Sequence, residues 1–344
     1  MNGMIRSLLL LSLCAGCGSD PQIGFREGSP LDTLPPWISP LFDSGLRPDW
    51  SGDGRKLLYL DALVGDVFEF DISSGKSRAL TKHFEHDGFS RARYLSSGDL
   101  LLCGPAAVAA TREEAGRWHT ELFFLSASGD SGAQALGEPC FEGPAVARSD
   151  MKIAWTLSDY PDRLLFGRSE LWTGRILVEG GEARLVDRRK VVDRGDFQYL
   201  AFLETQDFRP PDEKELLFTA YAYRGGEVMG VDLDSQEIRN YSLDWAYDEA
   251  EGVFPDGRSI AVEREVNTYG AVPEGDIDIW LLTLDGSGNY QRLTYFSEYA
   301  GFGANNPVIS PDGRYMAFGL RIKGGAHGNA QGVLLFDFEK AVLR

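Results

Sequence analysis

Residues 305–319 read NNPVISPDGRYMAFG: an apolar run, a Ser-Pro-Asp-Gly-Arg turn, then a second run. Pro311 presets the backbone angle that the first central turn position needs. Asp312 tolerates the second, and Gly313 adopts positive φ without a Cβ penalty. RYMAF behind the turn alternates polar and apolar, as a half-buried strand does. One such hairpin would say little. The same register returns in RPDWSGDGRKLLYLD (47–61), SRARYLSSGDLLLCG (90–104), GPAVARSDMKIAWTL (143–157) and DEAEGVFPDGRSIAVE (248–263). A further copy within 197–221 is FQYLAFL, an insertion, then PPDEKELLFTAY. The turns centre near Asp53, Gly98, Asp150, Asp212, Asp256 and Asp312, about fifty residues apart.

Each copy continues alike. A third apolar run follows (DVFEFDISSG, ELFFLSASGD, ELWTGRILVEGG, EVMGVDLDSQ, DIWLLTLDGSG, GVLLFDFEK), then a shorter fourth (KSRALT, AQALG, EARLV, IRNYSL, YQRLT). Four strands per unit at this period predict an all-β chain built as a six-bladed β-propeller, four antiparallel strands to a blade. The last copy lacks a fourth run, whereas PPWISPLFDSGLRPDW near the start mirrors YQRLTYFSEYAGFGANNP. The outer strand of the sixth blade is therefore expected from residues 38–42, in preference to 341–344. That would close the ring and remove an open sheet edge.

WSGDGRKLLYLD, FPDGRSIAVE and ISPDGRYMAFG, with YQRLT and SRALT, resemble the repeats of the TolB-type propellers, relatives of the WD-repeat proteins. The resemblance covers about residues 37–338. It implies the fold and says little of chemistry, since this repeat serves many functions.

The chain carries a net charge of −18, which repels phosphate backbones and argues against nucleic acid as a partner. Its first residues, MNGMIRSLLLLSLCAGCGSD, have a short charged region, an apolar core and small residues ending at Cys17. That is a secretory signal, too short to span a bilayer as a stable helix. CAGC also resembles the bacterial lipoprotein signal, which implies lipid on Cys17; Cys14 departs from the usual Leu. The expected organisation is a signal over 1–16, a tether over 17–36 and one propeller over 37–344. It is anchored in the bacterial cell envelope, on the periplasmic side or at the outer membrane, and meets the membrane through its lipid alone. Cys103 and Cys140 are then either a disulfide, which such a compartment permits, or two buried thiols.

Strand order places the start of every first strand on one face, with the second-to-third loops and the blade-to-blade loops. The Ser-Pro-Asp-Gly-type turns fall on the opposite face and read as structural punctuation. Candidate binding residues at the channel entry are Arg47, Arg91, Glu142, Asp248, Glu249, Asn305 and Asn306. Trp118, Tyr160 and Tyr269 join them from the long loops, where rigid scaffolds carry function. Asp248, Glu249 and Glu251 either gather a cation or basic partner, or pair with Arg47, Arg91 and Arg93 across blades. His83, His86, His119 and His327 fall on the same face, and similarity to oligogalacturonate lyases would make them metal ligands. The ligand spacing is not a recognised one, so no cofactor is the leading expectation. No nucleophile elbow, zinc-protease motif or phosphate loop occurs in the sequence. No catalytic residue is therefore assigned. The leading expectation is a non-enzymatic binding or scaffold protein that recognises an envelope protein or glycan on its loop-rich face. The alternative is a propeller enzyme acting on oligosaccharides, as a metal-assisted lyase.

Overall fold

A computed structural model of the chain describes residues 25–105, 119–128, 131–160, 162–163, 167–265, 276–323 and 332–341. The described residues are almost entirely strand and turn, and each sequence copy folds as a group of four antiparallel strands. The first strands are Leu46–Trp50, Arg91–Tyr94, Ala145–Val146, Phe202–Phe208, Tyr247–Val253 and Phe302–Ile309. Two adjacent groups merge into one eight-stranded sheet through a single parallel bridge, Gly226 to Tyr247. Ile38–Phe42 pairs antiparallel with Val333–Asp337, with Ile38 opposite Phe336 and Phe42 opposite Val333. The last group thus takes its outer strand from the start of the chain, as its truncated repeat predicts.

Core residues sit between successive groups, as alternating strands packed face to face require. One cluster joins Trp155 to Leu101, Phe124 and the cysteines, and another joins Phe218 and Phe208 to Leu171. A further cluster joins the first group to the last: Trp50, Leu57 and Phe70 pack with Val308, Ala317 and Val333. There the Trp50 indole N–H also donates to the Val308 carbonyl at 3.1 Å.

The repeated sequence motifs have specific mechanical jobs. In the Ser-x-Asp-Gly turns the serine hydroxyl donates to the aspartate and accepts the N–H that starts the second strand. Ser51 bonds Asp53 at 2.7 Å and Lys56 N at 3.0 Å; Ser310 bonds Asp312 at 2.5 Å and Tyr315 N at 2.9 Å. Three of the turn glycines also face the proline of the turn beside them. A Cβ at Gly313 would lie 3.4 Å from Pro255, one at Gly54 would lie 3.6 Å from Pro311, and one at Gly257 would collide with the Pro210 carbonyl. The Leu-Thr ending of the fourth strands is a second device. The Thr81 hydroxyl accepts Val67 N–H (3.0 Å) and donates to Asp66 (2.9 Å). Thr294 does the same for Ile279 (2.8 Å) and Asp278 (2.8 Å), and Ser242 for Val228 (2.9 Å) and Glu227 (2.6 Å). These bonds lock the outer strand to the start of the third.

Three details depart from the sequence reading. The supposed insertion after Leu203 is itself strand: ETQDF completes Phe202–Phe208, with a bulge between Thr205 and Asp207. Glu204, Gln206 and Asp207 interrupt its apolar pattern. In the third group EARLV is only part of a long ribbon, Ser169–Glu179 with Glu182–Asp193. Of the stretch expected as a tether, the part from Arg26 on is fixed to the body. Arg26 N–H donates to Glu298 O at 2.7 Å, and the Thr33 and Tyr299 hydroxyls share a 2.9 Å bond. Cys103 and Cys140, left open by the sequence, are joined as a disulfide within the second group.

Candidate functional site

Channel-entry residues expected from separate groups meet at the start of the first strands. Arg47 reaches past the second group: its guanidinium donates to Ser90 O at 2.6 Å and pairs with Glu142 at 2.9 Å. Arg91 Nε donates to the Glu142 carbonyl at 3.2 Å. Asn306 donates its N–H to Glu263 at 2.7 Å, and its side-chain amide lies 3.5 Å from Glu251. Arg47, Glu142 and Asn306 all have left-handed backbone, with φ of 54°, 60° and 47°. Non-glycine residues adopt that region at a cost, and such outliers gather at functional sites.

Carboxylates dominate the other side of the entry. Glu249, Glu251 and Glu263 place carboxylate oxygens within 4.8 Å of one another. Glu249 accepts the Tyr247 hydroxyl, and Glu204 accepts that of Tyr221 at 2.8 Å. Burial, then repulsion from Glu249, pushes the Glu263 carboxyl up to about 8. Burial first and neighbouring glutamates second raise Glu204 and Glu251 well above the usual range, against the pull of Arg91. Like charges in a low-dielectric wall cannot all ionise, so the cluster holds protons or a cation. Sequence reasoning names Glu251 as a possible cation ligand but misses Glu204 and Glu263. For Glu204 the signal is an ionisable residue in a first strand, beside a bulge, where an apolar one would be unremarkable; Glu263, in a second strand, carries no such mark.

Below this layer Arg93 binds the channel walls together, donating to Asp49 (2.9 Å), to the Gln206 carbonyl (3.1 Å) and to the Pro144 carbonyl (3.4 Å). Beneath it a cavity of about 830 Å³ opens on the turn-bearing face. Asp49, Arg93, Arg148, Asp207, Gly252 and Val308, one from the first-strand region of each group, line it. That face, expected to be only punctuation, therefore carries a cavity of substantial size.

Other candidates lie elsewhere. Asp248 is not in the entry: it is fully buried and pairs with Arg264 of its own group at 2.5 Å. Arg264 stacks over Tyr290, and burial raises Asp248 to about 7. The alternation of the strand sends Glu249 to the channel and its neighbour away from it. Asn305 lies against Gly319. Tyr160 packs edge-on to Phe141 and Phe202 beside the mouth. Trp118, Tyr269, His327 and Cys17 lie outside the described residues. His86 is a loop brace: Gly88 N–H donates to its Nδ1 at 2.9 Å, so Nε2 carries the proton toward Asp66, 3.1 Å away. His83 and His119 are exposed. Among the described residues the grouping able to hold a metal is Glu249, Glu251 and Glu263, not the histidines.

The comparisons agree with the strand order. The putative TolB from Agrobacterium tumefaciens is 16% identical with a TM-score of 0.58, over 81% of this chain and 87% of that one. The fold is a TolB-like β-propeller. Two further propellers are similar at 13% identity. A gluconolactonase from Xanthomonas campestris has a TM-score of 0.55, over 87% and 88% of the two chains. A calcium-binding regucalcin from A. tumefaciens has a TM-score of 0.53, over 86% and 92%. At these identities the likeness is one of fold. No family model and no curated protein matches the sequence.

Proposed function

We propose that this TolB-like propeller is a closed ring of six blades that binds an envelope protein or glycan over the entry of its channel. Support for the ring comes from the pairing of Ile38–Phe42, the core shared by the first and last groups, and a cavity lined from every group. The observation that carries the function is the convergence at the entry. Arg47, Arg91, Glu142, Glu249 and Asn306 arrive from five groups, three of them in left-handed conformation. Conformational cost at a mouth ringed by polar groups is what a rigid scaffold carries for recognition rather than for stability. The disulfide accords with an oxidising compartment and hence with export by the leader and lipid on Cys17.

The test is photo-crosslinking in the intact envelope, with the crosslinking residue at Asn305 in one strain and at Gly75, on the opposite face, in another. An adduct from 305 alone is expected, and its mass distinguishes protein from glycan. An adduct from 75 with none from 305 would remove the reading.

A second reading, metal-assisted chemistry on an oligosaccharide, is favoured by one observation, the Glu249–Glu251–Glu263 triad. It moves the candidate ligands from the histidines to the glutamates, hard oxygen donors suited to calcium or manganese. Titration calorimetry with each ion decides it: heat that disappears in Glu263→Gln supports the reading, and no heat in the unaltered chain ends it.

A further inference from the structure

Large apolar side chains left in solvent are not spread evenly over the molecule. Tyr199, Leu200, Leu243, Trp245 and Tyr295 stand in blade-to-blade loops, and Ile322 ends a second strand. All six lie at the end where the first strands begin. Tyr199, Trp245 and Tyr295 are each about half exposed, at 57%, 57% and 49%. Among the described residues the other exposed large apolar side chains are Phe25 and Leu31 on the N-terminal segment, and Leu177 and Val178 on the opposite face. Exposed apolar side chains gathered at one end of a molecule point to an interaction site there.

The N-terminal segment joins the fold on the same rim. Arg26 is tied to Glu298 and Tyr299, in the loop that carries Tyr295. Only seven residues lie between Cys17 and Phe25, and the eight chain steps reach at most about 28 Å. A lipid on Cys17 would therefore hold this face, and not the turn face, against the bilayer.

The chemistry of the rim fits a lipid interface better than its net charge suggests. Three acidic groups here are paired: Glu298 with Arg26 at 2.8 Å, Asp159 with Arg168 at 2.8 Å and Asp276 with Lys323 at 3.9 Å. Arg224 lies over the Trp245 indole, 4.9 Å from its centroid. An aromatic ring with a guanidinium beside it suits the headgroup level, where one side is apolar and the other wet.

We propose that the loop-rich face rests on the membrane surface, with Trp245, Tyr199 and Tyr295 at headgroup depth and the channel entry turned toward the lipid. The proposal rests on the reading of Cys17 as the lipid-bearing residue. Its consequence is that whatever the entry binds is itself membrane-embedded or lipid-linked.

The experiment uses the full chain, exported with its own leader and reconstituted in phosphatidylcholine vesicles containing phosphatidylglycerol. Cys103 and Cys140 are bonded and Cys17 is modified, so Tyr199→Cys, Trp245→Cys or Val178→Cys supplies the one free thiol for a nitroxide label. Mass spectrometry of the N-terminal peptide first establishes the lipid. The expected result is a loss of collision with an aqueous nickel relaxant at 199 and 245, a gain with oxygen, and no change at 178. A lipid-bearing chain whose labels at 199, 245 and 178 are equally open to nickel overturns the proposal alone. A chain with no lipid on Cys17 overturns the anchoring reading and the proposal with it.

Discussion

The charge cluster at the channel entry makes a quantitative demand on stability. Glu263 titrates at about 8 in the folded chain, against about 4.5 when solvated. A carboxyl whose folded value is raised contributes stability that is fully present below its unfolded value and is lost as pH rises through the folded one. Between pH 5 and pH 8 the unfolded chain surrenders this proton while the folded chain keeps it. Integrating the two titrations gives a loss of about 3–4 kcal/mol over that interval, with little further change above it. For a chain of this length that is on the order of 5 °C in the unfolding midpoint.

Glu263→Gln removes the ionisation while keeping an oxygen for the Asn306 N–H. The variant is expected to match the unaltered chain near pH 5 and to exceed it by about 3 kcal/mol at pH 8. Thermal unfolding followed by calorimetry at half-unit steps of pH measures both. The variant keeps a residual slope, since Glu204, Glu251 and Asp207 are raised too. A midpoint that climbs from pH 5 to 8, or identical slopes in the two proteins, would show that Glu263 is not a buried partner of the cluster. Saturating calcium or manganese at pH 8 offers a further comparison, because a bound cation would restore the lost stability by stabilising the ionised form.

Three further perturbations test the frame around the site. Arg93→Met leaves Asp49 buried with the Tyr94 N–H still donating to it in the channel wall, and should cost about 3–5 kcal/mol in denaturant unfolding; Asp49→Asn in the same chain should recover part of it. Opening the Cys103–Cys140 loop, 37 residues apart, with Cys103→Ser and Cys140→Ser should cost about 4 kcal/mol by loop entropy, read as a lower denaturant midpoint. Thr294→Val removes the hydroxyl that serves both Ile279 and Asp278; about 1–3 kcal/mol should be lost, with hydrogen exchange at Ile279 accelerated before the rest of its sheet.

Much of the fold was legible because turns and outer strands obey local rules. Ser-Pro-Asp-Gly and the Leu-Thr ending recur because each closes a fixed hydrogen-bond pattern, as Ser310 and Thr294 show. The pairing of Ile38–Phe42 was legible too, from a repeat short of one strand. The strand ETQDF was not, and the reason is physical. Alternation marks a strand with one wet and one dry face, whereas a channel-lining strand turns polar groups inward toward other polar groups. Glu204 is 4% exposed and Gln206 3%, though both look like surface residues in the sequence.

The same limit explains how the acidic residues divided. Sequence places Asp248 and Glu249 side by side at the entry, but one strand residue is the whole difference between two environments. Asp248 turns to Arg264, whose cation lies over Tyr290, and becomes part of a structural pair. Glu249 turns to the channel and meets Glu251, Glu263 and the Tyr247 hydroxyl instead of an arginine. Cross-blade pairing does occur, in Arg47 with Glu142, Arg93 with Asp49 and Arg148 with Asp207, and it draws on the first four blades of the proposed ring. The arginines of that side are occupied by their own neighbours, so the carboxylates opposite keep an excess of negative charge. A purely structural channel would gain by replacing Glu251 or Glu263 with a neutral side chain, since unpaired burial of charge opposes folding. Retaining both beside Glu249 places the electrostatic cost where the strained residues and the exposed aromatic rim also lie, which is why the entry, rather than the cavity below, is the site to test first.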